Sequence, residues 1–535
     1  MSFVRTFSPP RFAIAAVLTI ALTAPLFAQA HDHGPAPGER LGQVAFSVSC
    51  DPAVQPRFAR AVAMLHSFWF DQAQAAFEEV AASDPDCAMA WWGIAMTMWG
   101  NPMARFAPPE ERARQGLEAA EKAASLSSSA SERERGYIEA SLALYRDRDT
   151  VDHLTRMKRH EEAMRLVFER HPEDREAAIF FARAVVANAP PTDLTFERQL
   201  YAASILEPIF AEQPDHPGLA HYLIHAFDAP PIAEDGLEAA RRYAEIAPSA
   251  PHALHMPSHI FTRLGHWDES IESNRRSSQA EENPDAAVHP LDYMVYAYLQ
   301  RGLDAEAGEV VSRAIELPDR FYAGITGYNF AAMPARLALE RSRWEDAADL
   351  PVPTGALPHI EAITRFARAV GSARAGRPAE AGVEVTRLAS LRDTLKAQND
   401  TYWSTIVEAQ RLAAEAWVAL SEGNRESALE RARAAAELEE SVEKHPVTPG
   451  PLLPARELLG DMLLELEEPA QALAAYEKTL EREPRRARAL FGAARAAEQA
   501  GDRERARRYY AELVEVMAPT SARSELEVAR RFLEG

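Results

Sequence analysis

A spacing of 34 residues recurs in this chain and constrains its fold more than any other feature. Ala472 and Tyr476 are repeated as Ala506 and Tyr510, 34 positions later. A period of this length indicates similar units stacked side by side, because one such unit cannot bury its apolar stripe alone. The 535 residues therefore need not divide into several compact domains.

Each unit is expected to be a pair of α-helices. Alanine, leucine, glutamate and arginine dominate, apolar residues recur at spacings of three and four, and no alternating stretch is long enough for a strand. Related patterns of small, aromatic and proline positions occur at Phe70, Ala73, Phe77 and Pro85; at Ala202, Leu206, Ile209 and Pro214; at Gly265, Trp267 and Ser270; and, more weakly, at Gly302 with Ala307, Trp344 with Ala347, Gly376 with Ala381 and Gly423 with Ala428. We therefore predict an all-α fold.

The period and the order of its small, aromatic and proline positions resemble the tetratricopeptide repeat (TPR), over roughly residues 54 to 520. The resemblance implies a TPR-type α-solenoid, a right-handed superhelix of helix-turn-helix repeats. It divides the chain into TPR-like repeats at 54–316, degenerate repeats at 317–400, and C-terminal repeats with a cap at 401–535. Segments 65–69, 84–87 and 252–261 are similar to exported bacterial proteins of this type, a likeness that implies no particular biochemical activity.

The first 30 residues predict a secretory signal peptide. Arg5 and Arg11 make a basic start, an apolar run follows at positions 12–22, and Ala28-Gln29-Ala30 fits a cleavage site. Residues 31–53 are then expected to be a flexible mature N-terminus, in a periplasmic or secreted protein. No later apolar run approaches about 18 residues, so membrane insertion is not expected.

Export bears on the two cysteines of the chain, Cys50 and Cys87. In an oxidising compartment the simplest state of two thiols in one chain is a disulfide. The alternative is a pair of buried free thiols. We predict the disulfide because of the expected compartment.

Histidines are concentrated in one stretch, since eight of the sixteen lie between positions 216 and 289. Two pairs match at the 34-residue period, His221 with His255 and His225 with His259. Within each helix the spacing is i,i+4, which places both imidazoles on one face. Two imidazoles on one face can converge on one metal ion, and two stacked helices can present four.

The resemblance also implies where these side chains point. Ligands of this repeat are usually held on the concave wall, and the repeat's landmarks place both histidine pairs there. The same count places four further residues on that wall: His252, His289, Asp292 and Tyr296. We predict a site for a transition metal, copper or zinc, with the paired histidines as ligands and with His252, His289 and Asp292 as nearby or alternative ligands. Asp292 or Asp228 could orient an imidazole as a second-shell partner.

Other interpretations of the histidines remain open. The metal centre could belong to a metalloenzyme, although the HExxH motif of zinc proteases is absent. The histidines could instead line a pocket for an organic or peptide ligand, or form a structural network. His216 and His266 are expected to be solvated. The alternative function is a protein-interaction scaffold that holds a peptide or partner protein in a concave groove.

Two further features bear on ligands. Met89, Trp92 and Met96 fall at concave positions of the repeat and predict an apolar groove, with which we also group Tyr296. His66, at another concave position, either extends this groove or caps a helix. If cleavage follows residue 30, the mature chain begins His31-Asp32-His33, and its amine with the third-residue histidine could chelate Cu(II); the alternative is a flexible polar tail.

Charge excludes one class of partner. The chain has 58 lysines and arginines against 80 aspartates and glutamates, a net charge of −22. Nucleic-acid binding needs a concentrated basic surface, so no nucleic-acid partner is expected.

Overall fold

The computed structural model describes residues 38–317 and 324–535, and within these ranges the chain forms helices and no strand. Three of the helices are short 3-10 helices, at Pro52–Val54, Pro102–Ala104 and Pro230–Gly236. The α-helices as far as residue 300 are α1 (Gln55–His66), α2 (Phe70–Ser83), α3 (Ala88–Trp99), α4 (Glu110–Leu126), α5 (Glu132–Tyr145), α6 (His153–Arg170), α7 (Arg175–Ala187), α8 (Glu197–Glu212), α9 (Pro217–Ala226), α10 (Leu237–Ile246), α11 (Pro251–His255), α12 (Pro257–Leu264), α13 (Trp267–Ala280) and α14 (Pro284–Gln300).

The second half of the chain continues in the same way, so the predicted all-α solenoid of helix pairs is confirmed. Its helices are α15 (Asp304–Ile315), α16 (Gly324–Glu340), α17 (Trp344–Ala348), α18 (Pro358–Arg374), α19 (Pro378–Ala397), α20 (Thr401–Ser421), α21 (Arg425–Glu440), α22 (Ala455–Glu465), α23 (Pro469–Arg482), α24 (Ala487–Gln499), α25 (Arg503–Val516) and α26 (Ser524–Glu534). No helix of the described part of the chain is both long and apolar enough to cross a membrane.

The small residues of the 34-residue period allow neighbouring helices to approach closely. Gly460 on α22 and Gly492 on α24 both face the ring of Tyr476 on α23. A Cβ atom at Gly492 would lie 2.4 Å from that ring, and one at Gly460 would lie 2.9 Å from it. The aromatic position of the repeat therefore occupies space that the two glycines leave open.

The apolar interior consists of two large clusters and one smaller one. The first cluster runs from Leu41 to Phe261, and the second from Trp267 to Ala529. The histidine-rich helices α9, α11, α12 and α14 lie where the first cluster gives way to the other two. The histidines are therefore enclosed by packed helices on both sides.

The N-terminal segment 40–50 packs against the first repeats, so this part of the stretch 31–53 is not flexible as expected; residues 31–37 lie outside the described residues. Phe46 is 1% exposed, and its ring centroid lies 5.7 Å from those of Phe58 and Trp92 and 5.0 Å from that of Tyr137. Burial of an apolar side chain lowers the free energy of the folded state by more than the loss of conformational entropy in this segment raises it.

This insertion also corrects the predicted groove. Met89, Trp92 and Met96 are each 2% exposed or less and belong to the first apolar cluster. These concave positions are thus core positions, because the chain itself supplies what covers them.

A second covering segment, residues 441–454, joins α21 to α22 and crosses the interior beside the histidines. Its backbone oxygens accept hydrogen bonds from three side chains: from Tyr293 to Thr448 at 3.2 Å, from Asn329 to Val447 at 3.1 Å, and from Arg336 to Pro451 at 2.9 Å. These bonds satisfy the backbone of an irregular buried segment, which would otherwise be costly. We refer to residues 441–454 as the inner segment.

Cys50 and Cys87 form a disulfide, as predicted, with their Cα atoms 4.9 Å apart. The bond joins the N-terminal segment to the start of α3 and closes a loop with a sequence separation of 37. Replacing both cysteines by serine should therefore destabilise the N-terminal repeats by about 3 to 4 kcal/mol, through the greater entropy of the unfolded loop.

Urea unfolding of the wild type and of the double variant, followed by circular dichroism, measures this difference. Dithiothreitol should lower the wild-type midpoint and leave that of the variant unchanged. Coincident midpoints for the two oxidised proteins would contradict the prediction.

Burial also makes stability depend on pH. His160 on α6 is 1% exposed and donates from Nδ1 to the carbonyl of Ala140 at 2.8 Å. Burial lowers the pKa of His160 to about 3. Between pH 6.5 and about 3, therefore, His160 is protonated in the unfolded chain, where its pKa is ordinary, and neutral in the folded chain.

Stability should accordingly be present in full above about pH 6.5 and fall as the pH is lowered below that value. The variant His160→Gln keeps a hydrogen-bond donor and has no proton to gain. Urea midpoints measured from pH 7.5 to pH 5 should fall less steeply for this variant than for the wild type; parallel slopes would refute the assignment.

Candidate metal centre

Six histidines are brought together by four neighbouring helices. Helix α9 carries His221 and His225, α11 carries His252 and His255, and the remaining two, His259 and His289, are on α12 and α14. Each of these helices begins at a proline, a residue that suits the first turn because its missing N–H has no partner there. At Pro257 the chain ends α11 and begins α12, which separates His255 from His259 by a break in the helix.

The first triad consists of His221, His225 and His252, with one nitrogen of each within 4.8 Å of the others. His221 donates from Nδ1 to the backbone carbonyl of His66 at 2.6 Å, since a carbonyl oxygen can only accept. Its Nε2 therefore carries a lone pair and lies 3.2 Å from Nε2 of His252. Nε2 of His225 is buried without a hydrogen-bond partner in the described residues.

The second triad consists of His255, His259 and His289, with the same spread of 4.8 Å. His255 Nδ1 lies 2.6 Å from Oδ1 of Asn274. The Nδ2 group of Asn274 donates to the carbonyl of Ser270 at 2.7 Å, which orients the amide so that its oxygen faces His255. His255 must therefore be the donor, and its proton is on Nδ1.

His259 is held in the same tautomer by a carboxylate. Its Nδ1 lies 2.8 Å from Oδ2 of Asp228, and an ionised carboxylate can only accept. Lys444 and Arg263 also contact Asp228, and together with His259 they hold the pKa of that carboxyl well below its usual range against the effect of burial. Asp228 thus orients His259, one of the two arrangements that the sequence suggested.

The two Nε2 atoms of His255 and His259 consequently face each other at 3.1 Å with a lone pair on each. Two lone pairs at this distance repel unless a cation lies between them. Metal–nitrogen bonds of about 2.0 to 2.1 Å at a tetrahedral angle would separate two ligand nitrogens by about 3.3 to 3.4 Å. The observed separation is close to that value.

A proton is the other cation that could lie between the two nitrogens, but the surroundings of the imidazoles disfavour protonation. Burial lowers the pKa of all six imidazoles, and the neighbouring imidazoles lower it further in the five that are shifted most: His221, His225, His252, His255 and His289. The ring nitrogens are therefore neutral at physiological pH. Neutral imidazole is the form that binds a metal ion.

The grouping differs from the predicted set of four. The structure places His252 with the α9 pair and His289 with the second pair. The triads are neighbours: the ring centroids of His225 and His259 are 5.8 Å apart, and those of His252 and His255 are 5.9 Å apart. All six predicted histidines thus line one region as two sets of three.

Two histidines near the triads play a different part, which corrects two expectations. Glu176 accepts from His66 at 3.0 Å and from His216 at 2.8 Å, and all three are buried. His216 was expected to be solvated and His66 to line a groove. Instead Glu176 holds one ring nitrogen of each, so both histidines belong to an internal hydrogen-bond network, and the carbonyl of His66 accepts from His221.

Asp292 and Tyr296 are also placed elsewhere than predicted. The carboxylate of Asp292 accepts from Arg336 at 3.2 Å and from Asn329 at 3.1 Å, so its oxygens are engaged away from the triads. The hydroxyl of Tyr296 lies 3.2 Å from Glu483 and 3.3 Å from Arg486, and the side chain is fully buried. The residues of the proposed N-terminal chelate, His31 and His33, lie outside the described residues.

Sequence reasoning did not find Asn274. A signal for it exists, because Ser270, Asn274 and Ser277 form a polar stripe at helical spacing on α13, and all three are buried. A buried polar stripe requires polar partners on the facing helix, and here that helix carries His255.

One comparison with protein families agrees with the repeat pattern in two parts of the chain. A family model described as tetratricopeptide repeat matches residues 70–99 and 457–522. Among solved structures, a tetratricopeptide repeat protein from Parabacteroides merdae ATCC 43184 is 13% identical, with a TM-score of 0.29 and coverage of 54% of this chain and 98% of that one. The TPR domain of P58(IPK) is 15% identical, with a TM-score of 0.21 and coverage of 68% of this chain and 98% of that one. A search of curated proteins finds no match.

The matched ranges coincide with α2 and α3 and with the helices from α22 to α25, where the 34-residue period is clearest. Repeats of this kind suggest protein or peptide partners. Over residues 70–99 and 457–522 the chain is thus similar to the tetratricopeptide repeat family, and its described residues include two histidine triads whose members are buried or partly buried.

Proposed function

We propose that this protein binds transition-metal ions, copper or zinc, through the two histidine triads. The observation that carries the proposal is the approach of His255 Nε2 to His259 Nε2 at 3.1 Å, with the Nδ1 proton of each ring committed to another acceptor. A metal ion between them would turn a repulsive contact into two bonds. His289 would be the third ligand of that ion.

The three-histidine ligand set limits which metal could bind and what reaction the bound ion could support. Imidazole suits both copper and zinc, so the nitrogen donors alone do not choose between them. Three histidines would leave one position of a four-coordinate ion open, which is how catalytic zinc sites differ from structural ones. This feature supports a metalloenzyme over a storage site.

Export to the periplasm or secretion is part of the proposal. The Cys50–Cys87 disulfide supports it, because disulfides persist in oxidising compartments. Chelation of Cu(II) by the N-terminal His31 and His33 stays a prediction.

Binding of a protein or peptide partner is the second candidate, supported by the repeat fold itself. The concave positions Met89, Trp92 and Met96 are buried in the first apolar cluster, however, where Trp92 contacts Phe46 of the N-terminal segment, and they are not available as a groove. A partner would have to use another surface. The metal proposal therefore has the stronger structural support.

Metal content tests the proposal directly. The untagged protein, loaded with copper or with zinc at pH 7.5 and freed of excess metal, should retain close to one equivalent per triad by elemental mass spectrometry. The variant His255→Ala/His259→Ala should lose the metal of the second triad and keep that of the first, because the two sets share no ligand.

His266→Ala is the matched control, since this histidine lies on neither triad and is about a quarter exposed, with its imidazole 2.9 Å from Glu269. Its metal content should equal that of the wild type. No retained metal in the wild type, or equal losses in the control and the double variant, would overturn the proposal.

The hydrogen bond from Asn274 should matter without being a ligand contact. Asn274→Leu would remove the acceptor that fixes the tautomer of His255. Since partners of this kind typically contribute about 10- to 100-fold in metal affinity, the variant should bind the metal more weakly by about that factor. Competition with a chelator of known affinity measures the change. Ser278→Ala, on the same helix and bonded only to the carbonyl of Arg275, is the control; equal affinities in the two variants would contradict the assigned role.

A further inference from the structure

A cavity of about 280 Å³ opens beside the first triad and shares His225 with it. It lies between residues 103–106, the end of α7 with the loop after it, the start of α20 and the inner segment. His225 and Asp228 form the end nearest the triads. His225 is 92% buried, and its Nε2 has no hydrogen-bond partner in the described part of the chain.

One wall of the cavity is aromatic. The rings of Phe106 and His445 stack with centroids 5.4 Å apart, and His445 lies 5.4 Å from Trp403 at an angle of 30°. His445 is fixed in place, because its Nε2 donates to the carbonyl of Ala104 at 3.1 Å and its Nδ1 accepts from the backbone of Val447 at 3.1 Å. Rigid aromatic faces of this kind favour a flat, apolar guest.

Arg105 adds a second requirement, a negative charge on the guest. Its guanidinium donates to the carbonyl of Ala189 at 2.9 Å, and it forms no ion pair with any carboxylate of the described residues. Burial lowers its pKa, so the charge is partly withdrawn from water. A partly desolvated guanidinium without a carboxylate partner is a site for an anion.

Of the other charged side chains that line the cavity, Asp228, Glu443 and Lys444 are paired with opposite charges. Asp228 is paired with Lys444 at 3.2 Å and with Arg263 at 3.0 Å, and Glu443 also contacts Arg263. Asp400 caps α20 by accepting from the backbone of Trp403 at 3.0 Å. Arg105 is therefore the cation of this cavity that remains for a ligand.

We propose that the cavity binds a small aromatic carboxylate, with the ring against Trp403 and the Phe106–His445 stack and the acid group on Arg105. The far end of the guest would face His225 and the open position of a metal ion in the first triad. The contact between the guest and the metal ion rests on the proposed function, whereas binding of the ring and of the acid group does not. The proposal thus deepens the metal site by naming the class of molecule that reaches it.

The metal-free full-length protein and the probe 4-hydroxyphenylacetate test the first part. Isothermal titration should show binding that weakens about tenfold or more in Arg105→Gln, because a charge-assisted pair is lost. Arg105→Lys should retain most of the affinity. That result would show that the weaker binding of Arg105→Gln comes from the lost charge and not from a misfolded turn. Arg159→Gln, an exposed arginine paired with Asp147, is the matched control and should bind as the wild type does.

A neutral analogue separates the ring from the acid group. The corresponding amide, 4-hydroxyphenylacetamide, should bind the wild type and Arg105→Gln with equal, weaker affinity, whereas Trp403→Leu should weaken both probes. No heat of binding with the carboxylate at millimolar concentration, or equal binding to the wild type and Arg105→Gln, would overturn the proposal.

The metal-dependent part has its own readout. In protein loaded with Co(II), the carboxylate probe should shift the visible absorption of the ion, and the shift should be lost in Arg105→Gln at the same probe concentration. Failure to load metal would count against the proposed function and leave the titration of the metal-free protein intact. An unchanged spectrum in loaded protein that binds the probe would refute the placement of the guest next to the triad.

Discussion

The structure depends on how the inner face of a curved stack of helix pairs is covered. In a solenoid that face would be open to water, and its apolar residues would have no partner. Here the N-terminal segment inserts Phe46 against Trp92 and Tyr137, and the inner segment crosses beside α14 and α16. The chain fills its own concave side, and the space that many repeats leave for a ligand becomes interior.

This covering explains the state of the histidines. Imidazoles on an open wall would be hydrated and would titrate near their usual pKa, whereas burial keeps these neutral. Three of the rings have a defined partner on the Nδ1 side, since His66 accepts from His221, Asn274 from His255 and Asp228 from His259. Enclosure and orientation together leave the Nε2 lone pairs of His255 and His259 directed at each other, an arrangement suited to holding a metal ion.

The 34-residue period was sufficient to predict the helix pairs, and the i,i+4 spacing of His221 and His225 was sufficient to predict that they share a face. The period could not predict the covering segments, because contacts such as Phe46 with Trp92 or His445 with Ala104 join residues far apart in sequence. For the same reason it assigned core residues to a groove. A local pattern specifies which face a residue occupies and not what packs against that face.

X-ray absorption spectroscopy of the copper- or zinc-loaded protein tests the central claim most directly, since it counts the ligands of the bound ion. The account predicts about three nitrogen donors at about 2.0 to 2.1 Å, with the outer-shell scattering of imidazole rings. A first shell of oxygen donors, or fewer than two imidazoles per ion, would contradict it and would leave the triads as a buried hydrogen-bond network.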